Sequence, residues 1–159
     1  MFLARCDGSS MAELTEKQAD RLAVTSEMNL RSAYFEADIE FSASGIESEV
    51  FRRTPVLDFM FCLLLAAHQV KAGEEGTISF TENDMTIQIA PVGEADPSED
   101  QHLAITRSWD PRAGECGRSE FVQGVAHFAE SGPADILARY PSFAENPTRA
   151  KLEQLRATL

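Results

Sequence analysis

One long apolar run dominates the hydrophobic pattern of this chain. Between positions 56 and 67 every residue except Asp58 is apolar, and the run contains no glycine. Its Leu, Met and Ala residues favour helices, Pro55 suits the first helical position, and Gly73 suits the position just after a helix end. The run is shorter than the roughly 20 apolar residues that a membrane span needs. The pattern therefore predicts one continuous helix, Pro55–Ala72, buried in the core.

Alternation of apolar and polar residues predicts strands on both sides of this helix. In Tyr34–Phe41 the apolar residues alternate with Glu36, Asp38 and Glu40, which places the three acids on an open sheet face. Ile46–Arg53 alternates again after a short turn, so the two segments are predicted to form a β-hairpin. Three further short strands are predicted after the helix, at Thr77–Thr81, Met85–Ala90 and His102–Trp109.

The remaining segments are assigned from helical spacing and from turn residues. Helices are predicted at Ser119–Glu130, Pro133–Tyr140 and Thr148–Leu159, the first of them ended by Ser131-Gly132-Pro133. Asp110–Gly117 is rich in Gly and Pro and is predicted to be a loop. Residues 1–9 are predicted to be a loose leader, followed by a short helix over about Met11–Thr25.

These elements predict an α+β fold in the order ββ-α-βββ-ααα. Strands that are joined by short turns pair in antiparallel fashion, because parallel pairs need long crossovers. We expect one antiparallel sheet of about five strands, with a buried central helix and the C-terminal helices packed on one face. Residues 1–30 are expected to be an N-terminal arm or short helix, and residues 31–159 a single α+β domain.

Charge is the compositional feature that changes this picture most. The chain has 26 acidic and 14 basic residues, a net charge of -12. Eleven of the twelve excess negative charges fall within residues 32–106, and no basic residue stands between Lys71 and Arg107. Direct nucleic-acid binding needs clustered Lys and Arg, so it is not expected, and an anionic membrane surface is disfavoured for the same reason.

The sequence contains no motif that indicates catalysis, a metal site or a cofactor. His68, His102 and His127 fall on separate predicted elements, without the spacing of a known metal site. A Cys116–His127 nucleophile and base is an alternative that nothing else supports. The three cysteines form no CxxC pair and the N-terminus has no apolar signal region, so we expect a cytoplasmic protein.

The acids of the middle segment are the candidate partner-binding residues. They lie on the first predicted strand, in the turns and in the loop before His102. The set is Glu36, Asp38, Glu40, Glu74, Glu75, Glu82, Asp84, Glu94, Asp96, Glu99 and Asp100. Acids that serve only solubility are more often interspersed with Lys and Arg, so this distribution favours a recognition surface. A plain solvated face is the alternative, since exposed strands often carry charge.

The sequence therefore predicts a small acidic binding or inhibitory protein that engages a basic protein partner, such as a nucleic-acid enzyme with a cationic groove. Bacterial immunity proteins and phage-type nuclease inhibitors are similar to it in size, acidity and lack of motifs. The alternative is a small enzyme or small-molecule-binding domain with a site at the sheet–helix junction, using His102, Arg107, Trp109 or Asp110. A scaffold domain that forms a homodimer through its last helices is a third possibility.

Overall fold

The structure is a computed structural model that describes residues 1–94 and 99–159. The protein folds into two antiparallel sheets and five α-helices. The first sheet contains β1 (Leu3–Asp7), β2 (Glu36–Ala43) and β3 (Ile46–Pro55). The second contains β4 (Gly76–Ser79), β5 (Thr86–Pro91), β6 (His102–Arg107) and β7 (Asp110–Gly117). The helices are α1 (Glu16–Asp20), α2 (Glu27–Ala33), α3 (Val56–Lys71), α4 (Arg118–Arg139) and α5 (Pro147–Ala157).

The α+β class and the antiparallel pairing are confirmed, but the prediction of a single sheet of about five strands is wrong. A backbone bridge joins the two sheets at Ser44 and Glu115, where the Glu115 amide donates to the Ser44 carbonyl at 2.8 Å. Aromatic rings fill the space between the sheets: Phe51 of β3 contacts Phe80 and Trp109, with ring centroids 4.9 and 5.9 Å apart. These ring contacts pack β3 against the second sheet.

The predicted central helix is confirmed as α3. Its residues are buried nearly all round, because β4 and β5 cover one side while α2, α4 and α5 cover others. The helix approaches β4 closely: a Cβ at Gly76 would lie 2.8 Å from the Cβ of Ala66, so only glycine fits there. Asp58 is the polar residue among the buried side chains of this helix, and it accepts a hydrogen bond from Arg31 at 2.7 Å.

Two segments that were predicted to lack regular structure are strands. Residues 1–9 were expected to be a loose leader, yet β1 pairs with β2 and buries Phe2, Ala4 and Cys6. Asp110–Gly117 was expected to be a loop, yet it pairs with β6 as β7. Gly114 suits this strand because the Ile46 side chain packs directly against its backbone, leaving no room for a Cβ.

The helix that was predicted to stop at Ser131-Gly132-Pro133 continues through these residues to Arg139. Proline removes one helical hydrogen bond. However, the buried side of α4 runs through the interruption, from Phe128 to Ile136. Gly132 also packs closely against the Met60 side chain of α3, since a Cβ at Gly132 would lie only 2.7 Å from the Met60 Cε. Burial against α3 therefore outweighs the unfavourable local propensity.

Candidate functional site

The outer face of the first sheet carries three of the predicted partner-binding acids. Residues of β2 alternate strictly between the core and this face, so Glu36, Asp38 and Glu40 point outward together, as their spacing indicates. All three side chains are partly exposed. The opposite residues, Ala37 and Ile39 among them, are buried in the core.

Each of these three carboxylates has an arginine partner. The pairs are Arg53–Glu36 at 3.3 Å, Arg52–Asp38 at 2.5 Å and Arg5–Glu40 at 2.5 Å. The backbone amide of Arg53 and the Arg52 side chain lower the pKa of Asp38. The Ser48 hydroxyl and then Arg5 lower the pKa of Glu40. The three acids thus stand on one face but are balanced by three cations, a feature that charge counting along the sequence could not detect.

The other predicted acids fall at opposite ends of the second sheet. Glu74 and Glu75 precede β4, while Glu94 and Glu99 lie between β5 and β6. Because β4 and β5 are antiparallel, these four residues share one end of the sheet. Glu82 and Asp84 lie in the β4–β5 turn at the other end. Asp96 lies outside the described residues.

Glu82 extends the outer face of the first sheet. Burial raises the pKa of its carboxyl group, and the nearby Glu36 carboxylate raises it further, whereas Arg53 opposes this shift. The described members of the predicted set therefore do not form one surface. Part of the set lies around the first sheet, and part lies at the far end of the second.

Asp100 has a structural role in this arrangement. Its Oδ1 accepts hydrogen bonds from the Ser119 backbone amide at 3.0 Å and from the Ser119 hydroxyl at 2.9 Å. Gly117, which precedes α4, has no side chain to cap the helix, so Asp100 supplies the cap from the preceding loop. A carboxylate at a helix N-terminus is also favoured by the helix dipole.

A groove of about 690 Å³ opens on the outer face of the first sheet. It is lined by Arg5, Cys6, Asp7, Gly8, Ser9, Asp38, Glu40, Val50, Arg52 and Asp135. Asp7 ends β1, and Asp135 of α4 lies against Gly8, where a Cβ would stand 2.9 Å from its carboxyl group. Neither carboxylate has an ion-pair partner among the described residues, so the groove carries four acids and two arginines.

Sequence reasoning missed Asp7 and Asp135 as site residues. They are 128 positions apart, and they meet because α4 packs along β1. A partial signal for β1 was present, since Ala4 and Cys6 alternate with Arg5 and Asp7, but Leu3 interrupts the pattern. Nothing in the sequence around Asp135 indicates its neighbour.

The Cys6 side chain lines the groove and is buried. Burial raises its pKa to about 12, with further contributions from the carboxylates of Asp135, Asp7 and Asp38. A thiol with so high a pKa is protonated at neutral pH and is a poor nucleophile. Cys6 is therefore a structural residue of the groove.

Comparison with known protein families, curated proteins and solved structures finds no match. Within residues 1–94 and 99–159, no helix is long and apolar enough to cross a membrane. The same residues contain no group of three or more His, Cys, Asp or Glu side chains arranged to hold a metal ion.

The residues of the alternative site are only partly brought together. Arg107, Trp109 and Asp110 meet around Glu49, which accepts from the Arg107 guanidinium at 2.7 Å and from the Trp109 indole at 3.0 Å. The Arg107 side chain is 4% exposed, and its guanidinium also lies 3.1 Å from the Asp110 carboxylate. His102 stands at the opposite end of β6. The groove on the first sheet is not lined by Arg107, Trp109 or Asp110. The cluster joins β3 to the second sheet.

Proposed function

We propose that the protein binds a basic protein partner through the groove on its first sheet and thereby inhibits that partner. The observation that supports this most directly is the pair of carboxylates, Asp7 and Asp135, that face the groove without a cation among the described residues. A partner's lysine or arginine side chain would supply the missing positive charge. The partner class we propose is a nucleic-acid enzyme, whose substrate groove is lined with such residues.

The arginines that pair with the groove carboxylates can be replaced by cations of a partner protein. Arg5 and Arg52 are 68% and 74% exposed, so their pairs with Glu40 and Asp38 contribute little to stability. A cation from the partner could displace either arginine at small cost and be held by three or four carboxylates. Val50, also exposed at the groove, offers an apolar contact for the aliphatic part of a Lys or Arg side chain.

The overall charge supports rapid association with such a partner. The net charge is -12, and the acids at the far end of the second sheet have no ion-pair partner among the described residues. An uncompensated negative field accelerates encounter with a cationic protein, and its effect falls steeply with salt. In this proposal the distant acids steer the partner and the groove contacts it.

The test is capture of partners from the native host at low and at high salt, followed by titration of the recovered protein against variants. We expect a basic protein that is retained at low salt and lost at high salt. Asp7→Asn combined with Asp135→Asn should weaken its binding by about tenfold, as expected for two charged contacts. Arg5→Gln combined with Arg52→Gln should strengthen it, because Glu40 and Asp38 lose their internal competitors.

The matched control is Glu130→Gln combined with Glu145→Gln, which removes the same charge from exposed positions outside the groove. Long-range steering alone would make the two double variants equally weak. That outcome would remove the groove from the proposal, and failure to retain any basic protein at low salt would refute the function itself.

A further inference from the structure

The opposite electrostatic character appears at a second groove, formed by the N-terminal segment. This groove of about 290 Å³ is lined by Lys17, Gln18, Arg21, Val24, Thr25, Ser26, Asn29 and Tyr34. Its lining contains two cations and no carboxylate, in a chain with nearly twice as many acids as bases. Glu16 and Asp20 are close in sequence but do not line it.

The two cations of this groove are left without internal partners. Lys17 and Arg21 are four residues apart, and neither forms an ion pair with any residue in the described parts of the chain. Like charges at this spacing repel each other. An anion bound between them would relieve that repulsion.

An apolar groove adjoins the cationic one. The two grooves share the lining residues Val24, Thr25 and Ser26, and Val24 is 76% exposed. The second groove has a volume of about 420 Å³ and a mostly apolar lining that includes Ala23 and Pro147. Its charged residues, Glu27 and Lys151, are paired with each other at 2.7 Å. An occupant that fills both grooves must therefore carry an anionic group beside an apolar one.

We infer that these joined grooves dock an acidic peptide segment of a partner protein, with a carboxylate between Lys17 and Arg21 and an apolar side chain beyond Val24. The net charge of the chain does not prevent this, because at physiological ionic strength exposed charges beyond about 8 Å are largely screened. A carboxylate in the groove contacts the two lining cations directly, whereas the neighbouring Glu16 and Asp20 do not line the groove. This site is independent of the acidic groove and has the opposite preference.

The probes are three capped hexapeptides in which Glu alternates with Leu, Glu alternates with Ser, or Lys alternates with Leu. Each is titrated into the isotope-labelled full chain at physiological ionic strength, and backbone amide shifts are followed by NMR. We expect saturable shifts at Lys17, Arg21 and Val24 with the Glu–Leu peptide. The Glu–Ser peptide should bind more weakly, and the Lys–Leu peptide should not shift these residues.

Variants separate the two contributions. Lys17→Glu combined with Arg21→Glu should weaken the Glu–Leu peptide by about tenfold, while Arg149→Glu, an exposed arginine elsewhere, should leave its affinity within about twofold. Val24→Ser should abolish the advantage of Leu over Ser in the peptide, and Val92→Ser, at another exposed valine, should not. All five positions are exposed, so the fold should be retained.

Three outcomes would overturn the inference. The first is the absence of saturable shifts at millimolar peptide. The second is equal affinity for the Glu–Leu peptide in the unaltered protein and in the Lys17→Glu, Arg21→Glu variant. The third is a concentration dependence of the same shifts without peptide, which would identify a second copy of the chain as the occupant.

Discussion

Asn146 makes three side-chain hydrogen bonds, two of which reach the N-terminal region. Its Nδ2 donates to the Leu22 carbonyl at 2.7 Å and to the Thr25 carbonyl at 2.9 Å, while its Oδ1 accepts from the Thr148 amide at 2.9 Å. The residue is 2% exposed. One side chain therefore caps α5 and anchors the segment between α1 and α2, more than 120 residues away in sequence.

The cost of Asn146→Ala follows from these contacts. Loss of the helix cap costs about 1 kcal/mol. Each of the two carbonyls loses a buried donor, which costs about 1 kcal/mol or more apiece. The Leu22 carbonyl keeps a longer bond from the Thr25 amide at 3.4 Å, which moderates its share. We therefore expect a decrease of about 2–4 kcal/mol in the free energy of unfolding.

Asn146→Asp adds a pH dependence with a definite sign. The new carboxylate would still accept from Thr148 but would face two carbonyl oxygens, so its pKa in the folded state should be raised above the unfolded value of about 3.9. When the folded-state pKa of a group is raised, the protein loses stability as the pH rises from the unfolded pKa through the folded pKa. The deficit of Asn146→Asp relative to the unaltered protein should therefore grow from acid to neutral pH, whereas that of Asn146→Ala should stay constant.

Urea unfolding followed by Trp109 fluorescence and by circular dichroism measures both variants. Asn29→Ala, at an exposed asparagine without a side-chain hydrogen bond among the described contacts, is the control and should change stability by no more than about 0.5 kcal/mol. The same data test whether residues 1–30 are a separate arm. A cost of only about 1 kcal/mol for Asn146→Ala, with an earlier separate transition, would show that only the cap is lost and would refute the coupling.

Three other substitutions or treatments have defined outcomes. Leu64→Ala in the buried face of α3 should cost about 2–5 kcal/mol in urea unfolding, while Leu65→Ala, at a position 48% exposed, should cost far less. Asp100→Ala should cost about 1 kcal/mol through loss of the α4 cap and should leave partner binding unchanged, in contrast to Asp7→Asn. Cys6, with its pKa raised to about 12, should react slowly with iodoacetamide at neutral pH in the native protein and rapidly in urea; equal rates would contradict its burial.

The local pattern of apolar and polar residues was enough to predict the elements that bury one face or their whole surface. The apolar run predicts Pro55–Ala72 as a helix, and the structure has α3 at Val56–Lys71. Alternation predicts the outward direction of Glu36, Asp38 and Glu40, and the strand that carries them is shifted by only two residues. Such periodicities are a direct consequence of burial, so they can be read one segment at a time.

Long-range contacts decided the rest. β1 and β7 are strands because β2 and β6 offer pairing edges, and α4 passes Pro133 because α3 covers the continuing apolar side. The same holds for charge. Three arginines pair with the acids of β2, and Asp100 caps the N-terminus of α4. The acids that remain at the groove, Asp7 and Asp135, meet only when α4 packs on β1. The number of carboxylates is a property of the sequence, but which of them lack a cation depends on distances that only the folded chain defines.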